Sequence, residues 1–116
     1  MATGTMKKVA PPERRLAPRR QPTLGTVARL TSQAGEELGL GLVWNISTTG
    51  VSMLLAQYVA PGTTLRAELE SASNSVTLPV TLHVAHIVAL RTGDHVMGGQ
   101  FKQALTEDEM GVFVRT

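Results

Sequence analysis

Val76-Thr77-Leu78-Pro79-Val80-Thr81-Leu82-His83-Val84-Ala85-His86-Ile87-Val88-Ala89-Leu90 is the stretch on which the fold turns. Val76, Leu78, Val80, Leu82, Val84, Val88 and Leu90 share one parity. A period of two puts their side chains on one face of a β-strand, turned inward. Thr77, Pro79, Thr81 and His83 take the other face. Pro79 has no N–H to give a ladder, so it predicts an edge position or a bulge. His86 interrupts the apolar parity, which predicts a bulge there.

Working outward from this strand, the same texture repeats. Thr92-Gly93-Asp94 reads as a turn and Val96–Phe101 as the last strand. Upstream, Ser71–Ser75 is polar and loop-like, Thr64–Glu70 is a strand, and Pro61-Gly62 marks a turn. Val51–Leu55 is a strand. Leu38, Leu40 and Leu42 alternate with Gly39, Gly41 and Val43, which predicts a strand with one buried face running on to Ile46. Ser32–Glu37 is a turn and Thr26–Leu30 a short strand. After the last strand the pattern changes. Thr106 with Glu109 forms a capping box, and Glu107 and Asp108 suit a helix N-terminus. A short helix is expected at about 106–114, packed on the strands. Five to seven short strands so spaced suggest a closed or nearly closed antiparallel barrel.

Composition sets the class. The chain has 116 residues, 42% hydrophobic and 17% charged, as in a single globular domain. With no cysteine, disulfides and thiolate chemistry are excluded. No apolar run approaches the ~20 residues that cross a bilayer, and the first residues lack the apolar core of a signal peptide. The expectation is a soluble cytoplasmic protein. Charge is uneven along the chain. Residues 1–20 carry Lys7, Lys8, Arg14, Arg15, Arg19 and Arg20 against Glu13, a local charge of +5, and the rest carries −3. Pro11, Pro12, Pro18 and Pro22 exclude a helix interior or a central strand. Residues 1–22 therefore read as an extended, mobile basic arm, and residues 23–116 as the barrel with its helix. Such an arm points to an anionic partner.

Two motifs carry candidate chemistry. Arg15-Leu16-Ala17-Pro18-Arg19 sets two guanidinium forks four residues apart, preceded by Arg14 and followed by Arg20. Such forks bind phosphate oxygens bidentately, match O6 and N7 of guanine, and stack on bases. Asn45-Ile46-Ser47-Thr48-Thr49-Gly50 is an Asn-x-Ser-x-x-Gly turn between strands. Asn45 and Ser47 share a parity and are expected on one face, with polar groups suited to base edges or phosphates. Gly50 is expected to allow positive φ and a close ligand approach.

Together, in this order and spacing, the motifs resemble the PilZ domain signature. Gly99-Gln100-Phe101 is similar to that family's last strand, and Leu105-Thr106-Glu107-Asp108-Glu109 to its helix start, so the resemblance covers about residues 13–115. It implies an all-β fold: a six-stranded antiparallel β-barrel with an arginine-bearing N-terminal arm and a short C-terminal α-helix. It also implies a bacterial receptor for cyclic di-GMP. Arg15 and Arg19 would bind phosphate and guanine, Asn45, Ser47 and Gly50 would contact a guanine, and Arg14 is associated with a stacked ligand dimer. Arg20, Trp44 and Gly99 complete the candidate set. Pro18, directly before Arg19, departs from the usual arm.

Blander readings stand beside this one. The arginines could be a solvated arm, and Trp44 a core or barrel-surface residue. His83, His86 and His95 read as structural rather than metal-ligating, because His83 and His86, three apart on a strand, fall on opposite faces. No nucleophile–base pair, phosphate loop or acid pair is placed for catalysis, so no enzyme, cofactor or metal is expected. A lone receptor domain would act on an effector protein as an adaptor. Its alternatives are a PilZ-like barrel that only binds proteins, or a nucleic-acid-binding small barrel. The scarcity of aromatics argues against nucleic acid.

Overall fold

The computed structural model describes residues 25–71 and 76–114. Residues 1–22, with Arg14, Arg15, Arg19 and Arg20, lie outside the described residues, as does most of the Ser71–Ser75 loop. Six strands run β1 Val27–Ser32, β2 Glu37–Ile46, β3 Gly50–Leu55, β4 Thr64–Ser71, β5 Val76–Ala89 and β6 His95–Phe101, followed by helix α1 Glu107–Gly111. They close into an antiparallel barrel in the order β1-β2-β3-β6-β5-β4. The fold is therefore the six-stranded barrel with a short C-terminal helix.

The interior is built by alternation. Ala28, Leu30, Val43, Val51, Met53, Leu65, Ala67, Leu69, Leu82, Val84 and Met97 are buried in one cluster. Each of the Val, Leu and Met side chains among them contributes about 1.5–3 kcal/mol when taken from water. Gly41 faces the same interior, because a Cβ there would meet the Met53 sulfur at 2.3 Å. Two small glycine faces thus explain the Gly39-Leu40-Gly41 run. Gly41 makes room for Met53, and Gly39 (φ +97°) takes the left-handed conformation beside the register shift at Leu30/Thr31.

The expected buried face of β2 is corrected by this arrangement. Gly41 and Val43 point in, while Leu40, Leu42 and Trp44 are exposed on the outside. In β5, the single parity holds only as far as Val84. A register shift between Val84 and His86 accommodates Ala85 as an extra residue and turns Val88 outward, leaving it and Leu90 exposed. The same shift puts His83 and His86 on one face rather than two. Pro79 pairs with Glu68 of β4, in the first half of β5, whose other side has no β6 partner before Leu82. That half is an edge, as a proline requires.

The helix is shorter than expected. Thr106 caps it, accepting from the Glu109 N–H at 3.0 Å, while the Glu109 carboxylate accepts from the Thr106 N–H at 2.9 Å. It ends at Gly111, and a turn then carries Phe113 into the core, where Met110 and Leu105 are also buried. With only one turn, α1 depends on these apolar anchors rather than on helix propensity. Among the described residues, no helix is long and apolar enough to cross a membrane.

Candidate ligand site at the β2–β3 turn

The turn Ser47–Gly50 is fixed by Ser47. Its N–H donates to the Gly50 carbonyl at 2.8 Å. Its Oγ accepts from the N–H groups of Thr49 and Gly50, both at 3.1 Å, and lies 3.2 Å from Thr49 Oγ1. Serine is suited to this because its short hydroxyl can return to the backbone two and three residues on. Ser47 is fully buried, whereas Asn45 is half-buried on the outer face. The two do not share a face, because strand parity ends at Ile46 where the turn begins. Nor does Gly50 adopt positive φ. Its need is space: a Cβ would stand 2.6 Å from the Gly99 carbonyl.

The turn is tied to the chain's end. Phe101 N–H donates to the Thr49 carbonyl at 2.9 Å, and Leu105 N–H to the Thr48 carbonyl at 2.8 Å. The start of the helical segment thus hangs on the turn's own carbonyls.

Register brings a row of polar groups up to this turn. Asn45 pairs with Ser52, Ser52 with Gly98, and Gly98 with His86, across β2, β3, β6 and β5. Two bulges make the row. One, between Val43 and Asn45, re-aims Asn45. The other, at Ala85, re-aims His86. The His86 imidazole fills the space that a side chain at Gly98 would take, with its Cε1 2.2 Å from that ideal Cβ position. Alongside runs a second row, Gly50, Gln100 and His83. His83 Nδ1 lies 2.9 Å from Thr64 Oγ1. Sequence reasoning set His86 aside as structural and passed over Ser52 and Gln100. The broken parity at His86 was the available signal, but where a bulge aims a side chain depends on the partner strand. Trp44 is exposed beside Asn45, and Gly99 lies in the interior row between Val51 and Val84.

Chemically, the row offers amide, hydroxyl and imidazole groups suited to the edges and faces of a base. It offers no cation: β2, β3, β5 and β6 contain neither Lys nor Arg. Among the described residues, no three His, Asp or Glu are grouped to hold a metal. An open cleft of about 990 Å³ lies elsewhere, against β1, β4 and the segment 102–105, and none of Asn45, Ser47 and Gly50 lines it.

A closed six-stranded barrel, a serine-locked turn between β2 and β3, and a short helix hung from that turn define one small β-barrel domain. The PilZ domain model matches residues 13–115, and the chain belongs to that family of cyclic di-GMP receptors. PilZ domains are in general non-catalytic receptor modules. No curated protein matches. Among solved structures, the K. pneumonia MrkH–c-di-GMP complex is similar over 86% of this chain and 48% of that one, at 20% identity and TM-score 0.65. The Bacillus subtilis inhibitor of motility, MotI/DgrA, is similar over 85% and 47%, at 18% identity and TM-score 0.59. The PilZ domain of Escherichia coli YcgR with c-di-GMP is similar over 78% and 79%, at 14% identity and TM-score 0.61. The chain spans about half the length of the first two. At these identities the likeness is one of fold.

Proposed function

We propose that this chain binds cyclic di-GMP between its arginine-rich N-terminal arm and the outer row that starts at the β2–β3 turn, and passes occupancy to a partner protein as an adaptor. The observation that carries the reading is a division of labour. The row Asn45–Ser52–Gly98–His86 has hydrogen-bonding groups but no positive charge. A dianionic ligand seated there needs cations, and residues 14–20 supply four arginines. Arg15 and Arg19 take phosphate and guanine, with Arg14 and Arg20 adjacent. Asn45 offers its amide to a guanine edge, and Ser47 and Gly50 hold the turn's backbone against it. Trp44 flanks the seat on the outer face, and Gly99 backs it from the interior row. Ligand capture then orders the arm on the barrel, so that occupancy becomes a new surface. In keeping with the family, no cofactor, metal, nucleic acid or catalytic step is needed.

Titration calorimetry with cyclic di-GMP tests this. Saturable heat at micromolar ligand is expected, and folded protein giving none at high micromolar ligand overturns the reading. Arg15→Ala and Arg19→Ala each remove charge-assisted hydrogen bonds, of about 1.5–3 kcal/mol per bond. Each variant should lose affinity at least about tenfold with an unchanged melting temperature. Retained affinity in both refutes the clamp.

A further inference from the structure

The polar outer row contains a group that can change its charge. His86 is exposed and stands opposite Gly98. Its Cε1, Nε2 and Nδ1 are the atoms nearest to where a Cβ at Gly98 would sit. The ring therefore lies across β6 with its nitrogen-bearing edge turned toward β3, where Ser52 continues the row. Glycine at position 98 leaves the room for this.

Few titratable or charged groups surround it among the described residues. On its own strand there is His83, whose Nδ1 lies 2.9 Å from Thr64 Oγ1 of β4. β6 adds His95, three residues before Gly98. β3 adds none, and β2 only Glu37, eight residues from Asn45. Gly62 and Thr63, which bond to Val84, carry no charge. On β4, Arg66 stands two residues beyond Thr64, at Thr81, whose carbonyl accepts from the Lys102 N–H. Glu68 and Glu70 follow further along, at Pro79 and Thr77.

An imidazole ordinarily titrates near about pH 6.5, so its charge changes within the physiological range. The barrel side of the ligand seat is thus uncharged in mild alkali and gains a cation as the pH falls. Cyclic di-GMP keeps its two phosphodiester charges throughout. A cation beside them favours binding, and by linkage the bound ligand favours the proton equally. A charged ring also lies well against the face of a base. We propose that cyclic di-GMP binding is coupled to proton uptake at His86, so that occupancy reads acidity together with ligand. This coupling rests on the proposed ligand seat. Its sign is fixed: the gain is full below the range of the free imidazole, and is lost as pH rises through that of the bound one.

Calorimetry of the full chain with cyclic di-GMP, at about pH 6, 7 and 8 and in buffers of different ionisation enthalpy, tests this. Binding should be about four times tighter at the lowest pH than at the highest, with a fraction of a proton taken up per ligand. His86→Phe keeps a ring without a titratable nitrogen, and His83→Gln removes the neighbouring imidazole. The pH slope and the uptake should be lost in the first and kept in the second. Melting curves at each pH ensure that folded protein is compared. Binding with a flat affinity and no buffer-dependent heat overturns the coupling alone, as does a slope that survives in His86→Phe. Absence of binding at every pH overturns the ligand seat, and the coupling with it.

Discussion

A methyl group at position 50 has nowhere to go. The carbonyl it would meet belongs to Gly99, whose residue is paired with Val51 on one side and Val84 on the other. Backbone so held cannot yield as a side chain tip can. Gly50→Ala should therefore cost about 1–3 kcal/mol. In a domain of this size each kcal/mol moves the midpoint by about 4–8 °C. Scanning calorimetry should find the variant melting roughly 10 °C lower, and an unshifted midpoint would remove the close approach as the reason for glycine. The sequence marked Gly50 through its motif but assigned it a positive φ, because the neighbour that demands glycine lies 49 positions further along. Ser47 was visible in the same way. Its role as the turn's lock was not, since parity extrapolated from β2 made it a partner of Asn45.

At the scale of elements, strands and the capped helix were legible because their signals are local. Alternation gave β5, the turns at Pro61-Gly62 and Thr92–Asp94 bounded β4 and β6, and the Thr106–Glu109 pair gave the start of α1. The bulges were harder. His86 marked one by breaking the parity of β5, and nothing in the sequence marked the one at Trp44. A bulge is a property of two strands, and only pairing shows that both stand at one level and aim Asn45 and His86 into one row. That alignment predicts a role for His86. Stacking of a base on such a ring contributes about 1–3 kcal/mol. His86→Ala should weaken cyclic di-GMP about tenfold by calorimetry, with no loss of thermal stability, since the ring is exposed. Undiminished affinity would place the ligand off the β5 end of the row.

For the whole molecule, closure of the sheet leaves the core open to the helical segment at the end where the β2–β3 turn lies. Phe113 is fully buried there, and Met110 nearly so. Phe113→Ala should cost about 3–5 kcal/mol. The total stability of a domain this size is only about 5–13 kcal/mol. Urea titration should show the midpoint falling by about a third or more, and a midpoint within error of the native chain would mean that the helical segment does not seal the core. Because Leu105 and Phe101 bond to the carbonyls of Thr48 and Thr49, a weakened seal should also loosen the turn. The ligand affinity of this variant should then fall with its stability.

Pro79 has a consequence for life at high concentration. The first half of β5 has a neighbour on one side only, and such a margin invites the same margin of another molecule to zip onto it. Growth of that kind needs an unbroken series of donors. A ring nitrogen in the middle of the exposed rim interrupts the series, so an annealing copy finds a missing rung at Pro79. The residue that breaks the rule for strands thus acts as a chain terminator on this unpaired rim of a closed barrel.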